Sequence, residues 1–344
     1  MLANRFGGIG QAYLDYNTAL ARRGHAILAV CHRDGGWREA TLAQMERWAN
    51  MEVIAVREKG GIKALPSAWR IRRAVSSFCP DVIIIHNYLR FVMAATRGLA
   101  PQVSITHMYK CKHFDRLASV IALTEELKAM CVSKGILPER ITIVPNMIEA
   151  PFHRLQTVRK GSSFRVGAFG RLDSVKGFNY LIDAAAILAK RGFNFSLKLG
   201  GSGFDEQLLR DQVNRLGLGN QVEFTGFVSN KEAFFRKLDC FVIPSTSEPF
   251  GIVALESMKY GIPTIASAVG GLCEIFTSGR NGLLVPPATP TALADAIETL
   301  WQSPEKRLSI AQAATETLKQ RFAEPQVGAR LEAALLKFTK PSKI

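Results

Sequence analysis

Short runs of β-branched and apolar residues recur along this chain with helical stretches between them, and this alternation limits the fold more than any single motif. In the first series the strand candidates are HAILAVC, MEVIAV, DVIIIH, VSITH, VIALT and ITIVP, separated by helical stretches such as Gln11 to Arg23 and Leu65 to Phe78. A second series follows a linker at 147–163, with FRVGAFG, FSLKLGG, QVEFTGF, CFVIPS and PTIAS as strands. Its predicted helices are Phe178 to Arg191, Asp205 to Leu216, Lys231 to Leu238, Val253 to Tyr260 and Thr291 to Gln302. Strands that alternate with helices pair in parallel and are covered on both faces. The pattern predicts an α/β chain of two doubly wound, Rossmann-like domains, 1–146 and 164–324, facing a cleft, with ligands at the carboxyl ends of the strands. A last helix within 325–344, Pro325 to Phe338, is expected to pack back on the first domain.

The start of the first series is irregular. A doubly wound domain opens with a buried strand before its glycine-rich turn, yet only Met1 to Phe6 precedes Gly7-Gly8-Ile9-Gly10. The first strand is therefore expected to be short or missing: either Leu2 to Asn4 supplies a stub, or the true start lies upstream.

At 344 residues the chain accommodates two domains of ordinary size. No run of about 18 apolar residues predicts a transmembrane helix, and Met1 to Gly10 lacks the basic start and apolar stretch of a signal peptide. The six cysteines are scattered without CxxC spacing, which fits reduced thiols in a cytoplasmic protein. A formal charge of +15, denser in the N-terminal part, implies polyanionic partners: a phosphate-bearing ligand, a membrane surface or nucleic acid.

The stretch PSTSEPFGIVALESMKYGIPTIAS, Pro244 to Ser267, carries two acids, Glu248 and Glu256. Proline disfavours helix before itself and favours it after, so a helix is predicted from near Pro249 to Tyr260, stopped by Gly261. A spacing of eight residues at about 1.5 Å each sets the acids roughly 12 Å apart along that axis. Glycosidase-type acid and base carboxylates stand about 5 to 9.5 Å apart, so the spacing suits a long polyhydroxylated ligand better. The amides of Phe250, Gly251 and Ile252 would lie between the acids, where a helix start favours phosphate.

Other segments add charge and close approach. In FGRLDSVKG, Arg171 and Lys176 follow a strand and suit a diphosphate, although a solvated pair of cations is the ordinary reading of such a turn. Gly200-Gly201-Ser202-Gly203, between a strand and a helix, offers its backbone to phosphate or sugar, or is simply a tight turn.

Taken in order and spacing, GRLDSVKG, GGSG, EFTGFV, PSTSEPFGIVALESMKYGIPTIASAVGG and NGLLVPP resemble family 4 of the retaining glycosyltransferases, which have the GT-B fold. In the first domain GGIG, ARRGH, DVIIIH, ITHMY and ITIVPN resemble it more loosely. The resemblance implies transfer of a sugar from a nucleotide diphosphate donor, with retention of configuration and with neither metal nor cofactor. It implies that Arg171 and Lys176 bind the diphosphate and stabilise the departing nucleotide, that Glu248 holds donor-sugar hydroxyls, and that Glu256 holds the ribose. Phe250, Gly251 and Ile252 would give amides to the distal phosphate and sugar; Phe227 and Val228 would wall the base, and Gly201 would approach the donor. Gly8 and Gly10 match a glycine turn near the donor phosphate and acceptor, and His107 matches a histidine aimed at the sugar and phosphate, with His86 a second candidate. A front-face path, in which the donor phosphate takes the acceptor proton, is the mechanism expected.

Two basic stretches bear on the acceptor. Arg57, Lys59, Lys63, Arg70, Arg72 and Arg73 surround Trp69 and suggest a face for anionic lipid, or else a solvated helix face. Lys110, Lys112, His113 and Arg116 follow His107 and suit a phosphorylated or lipid-linked acceptor. The expected setting is polysaccharide or lipopolysaccharide assembly, in the cytoplasm or peripherally on the inner face of the membrane. A nicotinamide-dependent oxidoreductase accounts for two doubly wound domains but needs a full GxGxxG and an acid about 20 residues on. A nucleic-acid-binding protein accounts for the charge, but no helix-turn-helix, zinc or RNA motif accompanies it, and no nucleic acid is expected as partner.

Overall fold

A computed structural model describes residues 8–32, 37–56, 65–86, 89–153 and 163–339. The chain divides into two units, Met1–Glu149 with Ala323–Ile344, and Ala150–Phe322.

The first unit runs α1 (Gly8–Arg22), β1 (Ile27–His32), α2 (Trp37–Arg47), β2 (Met51–Val56), α3 (Leu65–Phe78) and β3 (Ile83–Ile85). It continues through α4 (Leu89–Ala95), β4 (Gln102–Thr106), β5 (Ser119–Ala122), α5 (Glu125–Ser133) and β6 (Ile141–Ile143). Every strand pair is parallel, as the βαβ pattern requires. The strands form two sheets, β1-β2 and β3-β4-β5-β6. On β3 to β5 eight of the twelve residues are apolar, and Ser104, Thr106 and Ser119 are buried among them, as in strands covered on both faces.

The second unit places β7 (Phe164–Phe169), α6 (Phe178–Lys190), β8 (Phe195–Gly200), α7 (Glu206–Arg215), β9 (Val222–Gly226) and α8 (Lys231–Phe235) in succession. There follow β10 (Cys240–Ile243), α9 (Ile252–Lys259), β11 (Thr264–Ser267), α10 (Gly271–Ile275), β12 (Leu283–Val285), α11 (Pro290–Gln302) and α12 (Pro304–Arg321). Its sheet has the order β12-β11-β10-β7-β8-β9, all parallel. The core is built from Val166, Ala168, Leu197, Leu199, Val242 and Ile265 of the strands against Leu181, Ile182, Leu188, Leu293 and Ile297 of α6 and α11. At the start of α12, Ser303 accepts the Lys306 amide and Pro304 occupies the first turn, where its missing N–H costs nothing.

After Phe322 the chain returns to the first unit as α13 (Glu324–Leu336), which packs on α1. Glu324 is buried and bonded by Arg22 and Arg23, while His25 Nε2 lies 2.6 Å from Glu332 Oε1. The Glu324 amide donates to Ile148 at 3.1 Å.

The structure departs from the sequence reading at several places. α9 begins at Ile252, not near Pro249, and β12, α10 and α12 had no counterpart among the expected elements. Gly8 and Gly10 are not a turn: both lie in the first turns of α1, Gly8 exposed and Gly10 buried. Arg57, Lys59 and Lys63, Leu2 to Asn4, and 154–162 of the linker lie outside the described residues.

Candidate donor site

In the second unit the chain leaves β7 toward β8 and β9 on one side and returns to β10 on the other. The loops after β7 and β10 therefore emerge side by side where strand order reverses, the place at which open α/β sheets bind ligands. The Thr246 amide donates to the Val175 carbonyl at 2.9 Å and joins the two loops. Across the same junction Lys176 Nζ donates to Glu248 Oε2 at 2.6 Å, and Ser245 Oγ donates to that oxygen at 3.4 Å. Glu248 is 8% exposed, so its charge is matched inside the protein and only slightly by water.

The start of α9 is set from outside the segment. The Gly271 amide donates to the Glu248 carbonyl at 2.9 Å, and a Cβ on Gly271 would meet Phe250 Cα at 2.5 Å. Held against this turn, 248–251 stays out of helix, and Gly251, at φ +99°, caps α9 in a conformation that L side chains rarely adopt. Of the three amides expected in the first turn, only that of Ile252 belongs to it; Phe250 is a buried side chain ahead of the cap. Glu256, within α9, is also buried, and its Oε1 accepts a hydrogen bond from Lys231 Nζ at the start of α8. Lys231 is the residue that sequence reasoning missed: it stands 25 positions from Glu256, and no local pattern links them.

Gly201 connects the remaining strand ends. At φ +123°, a Cβ there would sit 1.8 Å from the Gly170 carbonyl oxygen, so the turns after β7 and β8 touch only because this residue is glycine. The Gly201 amide donates to Gly226 at 2.6 Å, bringing the end of β9 alongside. There Phe227 is 67% exposed, an aromatic face open to a planar ligand, and Val228 packs against Gly200. Arg171 and Lys176 are not paired as a unit: the Arg171 guanidinium is exposed and bonded to Asp173, whereas Lys176 is tied to Glu248.

In the first unit His86 and His107 follow β3 and β4 and stack at 5.3 Å between centroids, with His86 Nδ1 3.1 Å from His107 Nε2. Tyr13 and Tyr16 meet the His86 ring edge-on. Burial pushes His107 down to about 4, and burial followed by the neighbouring imidazole holds His86 well below 6.5. Both rings are therefore neutral at pH 7.

On α3, Leu65 and Trp69 are exposed and the Arg73 guanidinium lies 5.4 Å from the Trp69 ring centroid. Arg72 is committed inward, donating to the Arg97 carbonyl at 3.0 Å. Lys110, Lys112 and Arg116 are exposed and Phe114 is buried beneath them. Among the described residues, no group of three His, Cys, Asp or Glu side chains is placed to hold a metal ion. Nor is any described helix long and apolar enough to cross a membrane.

These features are those of a doubly wound α/β fold with a candidate ligand site at its switch point, and comparison with known proteins identifies it as a GT-B glycosyltransferase. Anabaena HepE, crystallised with UDP-glucose, shares the fold over 97% of this chain and 97% of its own, with a TM-score of 0.83 at 24% identity. Residues 151–317 match the glycosyl transferases group 1 model and residues 6–150 match glycosyltransferase family 4, and the chain belongs to that family. A lipopolysaccharide core biosynthesis glycosyltransferase, LpsD of Rhizobium meliloti, is 28% identical over 93% of this chain and 92% of its own length. The alpha-D-kanosaminyltransferase of Streptomyces kanamyceticus is 29% identical over 63% of this chain and 59% of its own. The protein is thus an enzyme of sugar transfer.

Proposed function

We propose that the protein moves a sugar from a nucleoside diphosphate donor, with retention of configuration, to a glycan or lipid-linked acceptor in lipopolysaccharide or related cell-surface polysaccharide assembly. The observation that carries the donor part is the Lys176–Glu248 pair, a buried acid and its cation on adjacent loops at the switch point of the sheet. LpsD, named for lipopolysaccharide core biosynthesis and matched nearly end to end, supports the acceptor class.

In this reading Glu248 receives hydroxyls of the donor sugar and Glu256 those of the ribose, while Phe227 and Val228 line the base. Lys176, Arg171 and the Ile252 amide face the diphosphate, and Gly201 admits it closely. Phe250 and Gly251 shape the approach to α9, the role left to them once their amides lie outside its first turn. Gly8, Gly10 and His107 are the first unit's residues proposed to act on donor and acceptor. The bond from the anomeric carbon to the phosphate oxygen breaks, the acceptor oxygen bonds on the same face, and its proton passes to a phosphate oxygen. The nucleoside diphosphate leaves, and Lys176 and Arg171 oppose the charge that grows on it, without a metal or cofactor.

A thermal-shift screen over uridine, guanosine and adenosine diphosphate sugars tests the donor assignment, because a ligand of the folded state raises Tm with its concentration over Kd. One nucleotide class should raise Tm, and NMR of the product should show the donor's anomeric configuration. A panel without any shift refutes the donor class, and an inverted product refutes retention.

A further inference from the structure

Lys231 stands where local rules do not favour it. It is the first residue of α8, and the start of a helix carries partial positive charge, which favours acids there and disfavours cations. Asn230 caps this helix by accepting the Ala233 amide at 2.9 Å, and Glu232, the acid of the first turn, is paired with Arg236 at 2.5 Å. Neither contact needs a lysine at 231. What holds Lys231 is Glu256 of α9: its ammonium donates to Oε1 of a carboxylate whose side chain is 9% exposed. Among the described residues, Lys231 is the side chain that bonds this carboxylate. Departures from local preference of this kind gather at functional sites.

The place of the pair in the second unit points to what it serves. Four residues, Phe227 to Asn230, join the end of β9 to α8, so the exposed Phe227 and Lys231 stand at the two ends of one short connection. That connection carries both an aromatic face suited to a base and a cation tied to an acid suited to hydroxyls. A carboxylate offers about four lone-pair directions; Lys231 takes one, and the others can accept from hydroxyls. A carboxylate already fixed by its cation loses little freedom when a ligand binds. We infer that Lys231 is a positioning residue for the nucleoside: by holding the Glu256 carboxylate it makes the site select ribose over a sugar without 2′- and 3′-hydroxyls. This rests on the proposed donor reading, in which Glu256 receives the ribose. Without the ammonium, the carboxylate is a buried charge left bare, and it turns toward water and away from the ribose. Base and diphosphate keep their own contacts, so what is lost is discrimination at the sugar.

The test is calorimetric titration of UDP, GDP and ADP, each beside its 2′,3′-dideoxy form, into the parent chain, Lys231→Met and Lys231→Arg. The parent should bind at least one of the three and prefer it to its dideoxy form by about tenfold or more, as hydrogen bonds to a charged acceptor allow. Lys231→Met should cut that preference to about twofold or less, and Lys231→Arg, which keeps the cation, should restore most of it. The bare charge acting on the diphosphate weakens both forms alike and drops out of the ratio. If Lys231→Met does not fold, Lys231→Gln, which keeps an N–H donor without the charge, takes its place, with an intermediate preference expected. A ribose preference that these variants leave unchanged makes the pair structural only and overturns the inference while the donor reading stands. A parent that binds a nucleotide without preferring ribose takes Glu256 off the ribose and overturns it as well. A parent that binds none of the three refutes the donor reading, and the inference falls with it.

Discussion

Replacing Lys176 with methionine keeps the length and most of the volume of the side chain and removes its charge. At 2.6 Å, with an effective dielectric near 20, the attraction to Glu248 is about 6 kcal/mol before desolvation is subtracted. What the substitution reads is the carboxylate left behind. Glu248's side chain is 10% exposed, and removing one partner of a buried ion pair costs about 3 to 5 kcal/mol. Lys176 is itself 25% exposed, so water already screens part of the pair, and the Ser245 hydroxyl remains on the acid; about 2 to 3 kcal/mol is the expected loss. For a unit of this size that lowers Tm by roughly 4 to 12 °C. Glu248→Gln should cost less, about 1 kcal/mol, because the freed ammonium can turn toward water. The double variant should recover most of the loss. If Lys176 also opposes charge on the leaving diphosphate, its removal lowers kcat by about 10² to 10³. Calorimetry on the four proteins and initial rates with the donor found by screening give both readings. Equal and additive Tm losses in the two single variants would refute the argument that Glu248 depends on Lys176, and full turnover in Lys176→Met would remove it from the chemistry.

Three further outcomes are expected. Gly251→Ala should destabilise the second unit by about 1 to 3 kcal/mol, since φ is +99° and the new methyl would lie 2.7 Å from Leu272 Cδ2; an unchanged Tm would mean the cap relaxes freely. The first unit should lose stability as pH falls from about 6.5 toward 4, because the unfolded chain binds protons there that neutral His86 and His107 refuse. His107 alone contributes about 3 kcal/mol at pH 7, absent below pH 4, and a His86→Asn/His107→Asn variant should flatten the slope of Tm against pH. Trp69→Ala with Arg70→Gln and Arg73→Gln should lower co-sedimentation with vesicles rich in phosphatidylglycerol, as α3 presents these residues outward; retention equal to the parent would discount the membrane face.

What was legible in the sequence depended on distance along the chain. The stretch Leu65 to Phe78 was read with the bounds of α3, and the β-branched runs fell on strands, because periodicity and composition are local. The doubly wound class was legible in the alternation, whereas the order β9-β8-β7-β10-β11-β12, one of several that right-handed crossovers allow, is read from the folded chain. The start of α9 was misjudged since Pro249 permits a helix that the contact between Gly271 and Phe250 defers. Leu283–Val285 is too short to stand out as a strand, whereas α12 carried a readable start in Ser303-Pro304-Glu305. The Lys231–Glu256 and His86–His107 contacts join positions with no shared local pattern, and only the folded chain brings them together.

If the switch point takes a diphosphate, as proposed, the Lys176–Glu248 and Lys231–Glu256 pairs bear on how that anion approaches. Two buried carboxylates left bare would repel a diphosphate and would each carry a large desolvation cost. Lys176 on Glu248 and Lys231 on Glu256 cancel that charge within the fold, before any ligand arrives. The acids can then serve as hydrogen-bond acceptors for hydroxyls without acting as a net negative field. Arg171 differs in kind: it is exposed and its partner Asp173 stands two residues away, so its loss should weaken the handling of an anion and leave stability nearly unchanged. In the proposed reading, a cation held by the fold and an exposed cation beside Asp173 divide the work that the resemblance assigned to one matched pair.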